Sequence, residues 1–263
     1  MRPRIVLKFG GKSLSSVEEI HNIKDIIICY IKQGYQVITV VSAMGNTTDN
    51  LLNLAHSVVP NPQKRELDLL VSVGERISMT LLTMALIDAN IEAVSFTGSQ
   101  SGILTTKDFT DAKILEVRPT RIEEALRRGL TVVVAGFQGV SFDKEVTTLG
   151  RGGSDTTAVA LCHALLAEKV AYFKDVGSLF SENPHKNSQA VKIKKIDYQG
   201  AVELLNSEVR PLLHLRALSL ARRLSVPLEI VSSEKKGGFF EVGTVICGDS
   251  PIKVGVPTTE LAT

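Results

Sequence analysis

Short apolar runs that stop at loops of small residues recur along the chain, and this pattern constrains its fold more than any other feature. The first run, 4–9, stops at Gly10-Gly11, and a second, 36–41, stops at the loop 42–46. Between them, apolar residues at helical spacing from Val17 to Ile31 predict a helix. This order is typical of a parallel sheet covered by helices, with ligands at the carboxyl ends of the strands. The sequence therefore predicts an α/β fold.

The same alternation continues through the rest of the chain. It predicts further strands at 93–96, 130–135, 170–174, 228–231 and 244–247, and a hairpin around 142–148. It predicts further helices at 65–90 (one helix or two), 120–128, 155–168, 198–205 and 212–224. No internal repeat and no linker long enough to separate two independent domains interrupts the pattern.

The composition excludes several classes of protein. The 263 residues include 30 Lys and Arg against 28 Asp and Glu, a formal net charge of +2, which favours neither a nucleic acid nor a membrane as partner. The absence of Trp and an aromatic share of 5% argue against a base-stacking surface. Cys29, Cys162 and Cys247 lie far apart, so neither a disulfide framework nor a zinc site is indicated. No segment has the pattern of a signal peptide or a membrane span, and we expect a soluble, cytoplasmic protein.

Loops of small residues follow five of the predicted strands, at 10–13, 42–46, 97–102, 136–139 and 150–153. At one edge of a sheet they would offer many backbone N–H donors to phosphate or carboxylate oxygens. Gly11-Lys12-Ser13 imitates the end of a Walker A loop, but Val6 stands where its first glycine belongs, and the glycine spacing of a dinucleotide fingerprint is also missing. Lys8, at the end of a buried strand, favours an anionic partner. The alternative is a side chain that reaches solvent from the sheet edge.

Two other segments place charged residues beside glycines. Arg151-Gly152-Gly153 precedes Ser154-Asp155, which opens a helix. Arg151 could hold a carboxylate there through two hydrogen bonds, whereas the alternative is that the Ser and Asp only cap the helix. Glu75 follows Gly74, whose missing side chain lets a ligand or another backbone approach, and the alternative is a surface ion pair with the next residue, an arginine.

Six segments carry a resemblance to a known family. They read KFGGKSL from Lys8, VSAMGNTTD from Val41, VGERIS from Val73, FTGSQSG from Phe96, AGFQG from Ala135 and TTLGRGGSDTT from Thr147. In this order, and over about residues 4 to 250, the chain resembles the catalytic domain of the aspartate kinases, in the amino acid kinase fold family. The resemblance implies a three-layer αβα sandwich with a mostly parallel central sheet. Members of the family phosphorylate the β-carboxylate of aspartate with Mg·ATP.

The resemblance also implies roles for individual residues. Lys8 would neutralise the phosphoryl group in transfer, and Asp155 would orient Lys8. Arg151 would hold a carboxylate of the substrate and Glu75 its ammonium. The remaining substrate-binding residues would be Ser42, Thr48 and Ser154. The nucleotide, with ATP and Mg²⁺ as cofactors and no metal ligands assigned on the protein, would contact Gly10, Gly11, Ser13, Lys174, Asp175, Phe180, Pro184 and Arg210.

The match is weaker on the nucleotide side. Aspartate kinases usually have Thr or Ser where this chain has Lys12. The segment 174–185, KDVGSLFSENPH, retains an Asp, a Val and a Pro of the family pattern but lacks its further acids, its glycine and its Arg. In the segment 209–217, Arg210 is the only candidate for the family lysine that reaches the ATP phosphates. The lysines at 12, 174 and 186 make this lobe more basic, which suits a polyphosphate.

We expect one catalytic domain at 1–250, with an amino-acid lobe at about 1–168, a nucleotide lobe at about 169–250 and a tail at 251–263. Aspartate kinases generally continue at this point into paired ACT domains, so we expect no feedback inhibition by lysine or threonine through this polypeptide. The fold is compatible with a homodimer. Three functions stay open: an aspartate 4-kinase, a specialised kinase or nucleotidyl-type transferase on aspartate or an analogue, and a catalytically silent aspartate-binding subunit.

Overall fold

Strands and helices alternate along the chain, as the spacing of its apolar residues predicts. The structure is a computed structural model and describes residues 2–181, 190–206, 212–236 and 239–248. The strands are β1 (Arg4–Phe9), β2 (Gln36–Val41), β3 (Ala93–Phe96), β4 (Ile103–Thr105), β5 (Ile114–Val117), β6 (Thr131–Ala135), β7 (Gln138–Ser141), β8 (Val146–Thr148), β9 (Val170–Lys174), β10 (Leu179–Phe180), β11 (Lys192–Ile193), β12 (Lys195–Ile196), β13 (Leu228–Lys236) and β14 (Phe239–Ile246). The helices are α1 (Val17–Lys32), α2 (Thr47–Val58), α3 (Lys64–Val71), α4 (Val73–Asp88), α5 (Thr120–Arg127), α6 (Gly153–Ala164), α7 (Tyr198–Asn206) and α8 (Leu215–Leu224), with a 3₁₀ helix at Lys12–Leu14.

Eight strands form the central sheet, in the order β12-β14-β13-β9-β1-β2-β6-β3. Neighbours pair in parallel throughout, except for the antiparallel pair of β13 and β14. A smaller sheet, β5-β4-β7-β8, and a two-stranded sheet, β10-β11, lie outside it. The predicted α/β fold with a mostly parallel central sheet is confirmed.

Alternate residues of the central strands enter two separate apolar cores, because successive side chains of a strand point to opposite faces. Val6 of β1 lies in the core that also contains residues of α5, α6, α7 and α8. Ile5 and Leu7, its neighbours, lie in the core that contains residues of α1 and α4. Helices therefore cover both faces of the sheet, which is the expected three-layer αβα arrangement.

The strand order reverses at β1, which has β2 on one side and β9 on the other. Phe9 is in register with Val41 of β2 and with Phe173 of β9, so all three strands end at the same edge. The backbone N–H of Gly136 donates to the carbonyl of Val41 at 3.0 Å and adds the end of β6 to this edge. In parallel α/β sheets ligands bind at such a switch point.

Several sequence predictions need correction. The helix α2 and the strands β4 and β5 were not predicted, whereas β13 and β14 extend beyond their predicted bounds. The stretch Lys64–Asp88 is, by length and composition alone, apolar enough to cross a membrane, with a hydropathy of 1.5, so the expectation that no segment resembles a span is wrong. Half of the apolar segment in this stretch is buried within the fold, as in a core helix of a soluble protein. The division into two lobes stays a prediction, and the tail 251–263 lies outside the described residues.

Candidate active site

A buried ion pair lies at the carboxyl edge of the central sheet. Lys8, near the end of β1, is only 4% exposed, and its Nζ lies 2.5 Å from Oδ1 of Asp155 in the first turn of α6. Burial raises the pKa of the Asp155 carboxyl, but the charges of Lys8 and Lys174 outweigh it and keep that pKa below its ordinary value. The structure thus brings together two residues that the sequence places far apart, and the contact with Asp155 holds the Lys8 side chain in place.

The two glycines that follow β1 differ in the space around them. A Cβ on Gly10 would meet only Lys8 Nζ, at 3.7 Å, whereas a Cβ on Gly11 would lie 2.8 Å from the carbonyl oxygen of Ala43. The carbonyl of Gly11 also accepts a hydrogen bond from the backbone of Gly45, at 2.9 Å. Gly11 therefore joins two loops, while Gly10 keeps open the space beside the amine. Ser13 lies in the 3₁₀ helix that follows and is half-buried.

Glu75 reaches the same edge from α4. Its side chain is 3% exposed, and its Oε1 accepts a hydrogen bond from the backbone N–H of Ala43 at 3.1 Å. Oε2 is buried and has no hydrogen-bond partner among the residues that the structure describes. Burial raises the pKa of Glu75 to about 7, against the opposing effects of backbone hydrogen bonds and the charge of Lys8. A buried carboxylate oxygen without a partner is a position that a cationic group can satisfy.

The other residues predicted to bind substrate surround these groups unequally. Ser154 is buried in α6, where a Cβ on Gly136 would lie 2.7 Å from the Ser154 Cβ. Ser42 and Thr48 are half-buried, after β2 and in α2. Arg151 is exposed, and it forms no ion pair with any residue in the described part of the chain. We call the group Ala43, Glu75, Gly136 and Ser154 the α4 side of the site.

On the other side of Lys8 lies a group at the end of β9. Lys174 is the last residue of β9, and its pKa falls to about 8, chiefly through burial; the charges of Lys8 and Lys12 act in the same direction and that of Asp155 in the opposite one. The next residue, Asp175, pairs with Lys12, whose Nζ lies 3.2 Å from its Oδ2. We call Lys12, Lys174 and Asp175 the β9 side. Phe180 is half-buried in β10, whereas Pro184 and Arg210 lie outside the described residues.

Three residues that support this edge were not among the predicted site residues. Asp68 of α3 is buried and accepts hydrogen bonds from the backbone of Thr110 and from the backbone and hydroxyl of Thr148, the latter at 2.7 Å. Gln138 donates from Nε2 to the carbonyl of Ser72 at 2.9 Å and so joins β7 to the start of α4. The motif that contains Gln138 was a signal for it. For Asp68 there was none, because its partners lie far along the chain.

His214 is the third. A Cβ on Gly152 would lie 2.1 Å from its ring, so the ring rests on the loop before α6, which only a glycine permits. Gly152 has φ +75°, a conformation that also favours glycine. The backbone N–H of His214 lowers the pKa of Asp155, which places this residue beside the buried ion pair. The resemblance had drawn attention to its segment, but not to this residue.

No group of three or more His, Cys, Asp or Glu that could hold a metal ion occurs among the residues described. Mg²⁺ is commonly held by one or two carboxylates together with the phosphates of a substrate and water. The carboxylates beside the lysines, Asp155 and Asp175, fit that smaller contribution. The edge therefore offers an ammonium, an open glycine loop and a buried carboxylate, which suits a phosphorylated ligand next to a cationic one.

Comparison with known proteins agrees with this fold. The model of the amino acid kinase family matches residues 3–232, and the chain belongs to this family. Among curated relatives, the aspartokinase of Geobacillus stearothermophilus is 46% identical over 242 residues, which cover 92% of this chain and 58% of the relative. The aspartokinase of Mycobacterium tuberculosis is 44% identical over 96% of this chain and 61% of the relative. The chain thus spans about three fifths of the length of these relatives.

Solved structures agree on the fold. The crystal structure of aspartate kinase from Synechocystis superposes with a TM-score of 0.83 at 38% identity, over 95% of this chain and 40% of that one. The UMP kinase of Bacillus anthracis has a TM-score of 0.68 at 20% identity, and this likeness concerns the fold alone.

Proposed function

We propose that this chain transfers the terminal phosphoryl group of Mg·ATP to the β-carboxylate of L-aspartate, forming 4-phospho-L-aspartate and ADP. One observation carries the proposal: the Lys8 ammonium beside the open space at Gly10 and the unpartnered Oε2 of Glu75 lie at the same edge of the sheet. Aspartate has an ammonium that Glu75 could bind and a side-chain carboxylate that could react beside Lys8. The relatives named aspartokinase support the same substrate.

The transfer needs little covalent help from the protein. A β-carboxylate oxygen of aspartate forms a bond to the γ-phosphorus while the bond from that phosphorus to the bridging oxygen breaks, and ADP leaves with the electron pair. The attacking carboxylate is already ionised, so no general base is required. The protein must hold the two reactants in line and neutralise the charge that moves between them.

The residues of the site would divide this work. Lys8, fixed by Asp155, would stabilise the charge on the phosphoryl group in transfer. Glu75 would bind the substrate ammonium and Arg151 its α-carboxylate, with Ser42, Thr48 and Ser154 around them. Gly10, Gly11, Ser13, Lys174, Asp175 and Phe180 would contact the nucleotide, whose phosphates bring the Mg²⁺ with them. The roles of Pro184 and Arg210 stay predictions.

Incubation of the purified chain with aspartate, Mg·ATP and hydroxylamine tests the proposal, because hydroxylamine traps the acyl phosphate as aspartyl hydroxamate. Hydroxamate that depends on both substrates is the expected result. Aspartate binding without hydroxamate or ADP would leave the silent binding subunit, and release of pyrophosphate would indicate a nucleotidyl-type transferase. The same assay with added lysine or threonine measures feedback inhibition.

A further inference from the structure

The β9 side contains more positive than negative groups. Gly10 and Lys174 follow Phe9 and Phe173, which are in register on neighbouring strands, so the loop after β1 and the end of β9 lie side by side. Three ammonium groups meet there, those of Lys8, Lys12 and Lys174, and all are close enough to interact electrostatically. Two carboxylates, those of Asp155 and Asp175, lie near these ammonium groups.

These charges are not paired alike. Asp155 is buried with Lys8, whereas Asp175 is held by Lys12, and in that second pair the lysine and aspartate side chains are 89% and 62% exposed. Lys174 forms no ion pair with any residue that the structure describes. The excess charge is therefore on the β9 side, where an anion would satisfy it.

The Lys12–Asp175 pair is the part of the site that can rearrange easily. An exposed ion pair contributes at most about 1 kcal/mol, because water competes for both groups. A phosphate chain carries several negative charges, so it attracts the Lys12 ammonium more strongly than the single carboxylate of Asp175 does. Lys12 begins the 3₁₀ helix directly after the glycines and is separated from Gly10, with its open space, by Gly11 alone.

Resting on the proposed function, we propose that Lys12 is a phosphate-binding residue of this chain: it leaves Asp175 when the nucleotide enters and contacts the phosphate chain together with Lys8 and Lys174. Asp175 then acts as a competitor that holds Lys12 in the absence of nucleotide. Lys12 thereby supplies a positive charge at a position where aspartate kinases usually have Thr or Ser. The chain would therefore bind nucleotides with more phosphates more tightly than AMP, by the free energy that this contact contributes.

The test is the ratio of the dissociation constants for AMP and ATP, measured by calorimetry on the full chain with EDTA in place of Mg²⁺, so that the loss of a metal contact at Asp175 does not enter the ratio. Lys12→Thr should weaken ATP binding about tenfold and leave AMP nearly unchanged, so the ratio falls. Asp175→Asn should free Lys12 and raise the ratio roughly two- to fivefold. A merely structural ion pair would give shifts of the same sign for both variants, because each removes the same interaction.

Lys107→Thr serves as the matched control. Lys107 pairs with Asp143 at 2.6 Å in another solvent-exposed Lys–Asp pair, near the small sheet, and its loss should leave the ratio unchanged. An unchanged ratio in Lys12→Thr, or a fall in Asp175→Asn, overturns the assignment of Lys12. If the wild-type chain forms aspartyl hydroxamate while this happens, the proposed function stands and only the role of Lys12 fails. If it binds neither ATP nor AMP, both fail.

Discussion

The two sides of the site are built differently. On the α4 side, the Ala43 backbone holds the buried Glu75, and Gly136 leaves no room for a side chain against Ser154. On the β9 side, the visible link is one exposed ion pair between Lys12 and Asp175. Close packing ties the geometry of the α4 side to the stability of the fold, since buried contacts are costly to disturb. The β9 side can change at little cost, and it is there that the sequence departs from the aspartate kinase pattern.

The largest expected effect comes from Lys8, which stands between the two sides. Lys8→Met leaves the Asp155 charge buried without a partner, so the free energy of unfolding should fall by about 3–5 kcal/mol. Turnover should fall by about 10²–10³ or more, because the moving phosphoryl group loses its closest cation. Denaturant unfolding and the hydroxamate assay measure the two effects.

The double variant Lys8→Met/Asp155→Asn separates stability from catalysis. It removes both charges, so most of the stability should return while turnover stays low. A double variant as unstable as the single one would show that the buried charge is not the cause. Full turnover in either variant would contradict the role proposed for Lys8.

One glycine from each side sharpens the comparison. Gly136→Ala places a methyl group 2.7 Å from the Ser154 Cβ and should lower the free energy of unfolding by about 1–3 kcal/mol. Gly10→Ala meets only the Lys8 ammonium, at 3.7 Å, so it should leave stability within about 0.5 kcal/mol and raise the KM for ATP. Thermal unfolding and steady-state kinetics of both variants test this. Equal destabilisation by the two variants would show that the α4 side is not more closely packed than the β9 side.

The smallest expected effect is a pH dependence of the α4 side. Burial raises the pKa of Glu75 from 4.5 to about 7, with Ala43 and Lys8 as the facing groups that oppose the shift. The carboxylate needed for the substrate ammonium is therefore present above pH 7 and lost below it. The kcat/KM for aspartate should fall about tenfold per pH unit below that value. Glu75→Gln should lower kcat/KM and abolish this limb; a limb that persists belongs to another group.

The elements that the sequence predicted are those with a strong periodic signal. Every residue of β6 is buried, and so is every residue of β1 and β2 except the first of each strand. The helix α1 has a continuous apolar stripe. The helix α2 was missed although Leu51, Ala55 and Val58 have helical spacing, and the structure buries none of its residues. Motifs named Lys8, Glu75 and Asp155, but not the exposed position of Arg151, which depends on packing between distant segments.

The position of β1 in the sheet has a consequence for how the site comes into being. The strands on its one side, β2, β6 and β3, precede α6 in the chain, and those on its other side, β9, β13, β14 and β12, follow it. Neither half of the sheet contains both members of the Lys8–Asp155 pair together with Lys174. A partly synthesised chain that has joined only its first half carries Lys8 without its carboxylate. The proposed phosphoryl transfer thus requires both halves of the sheet, which meet along β1.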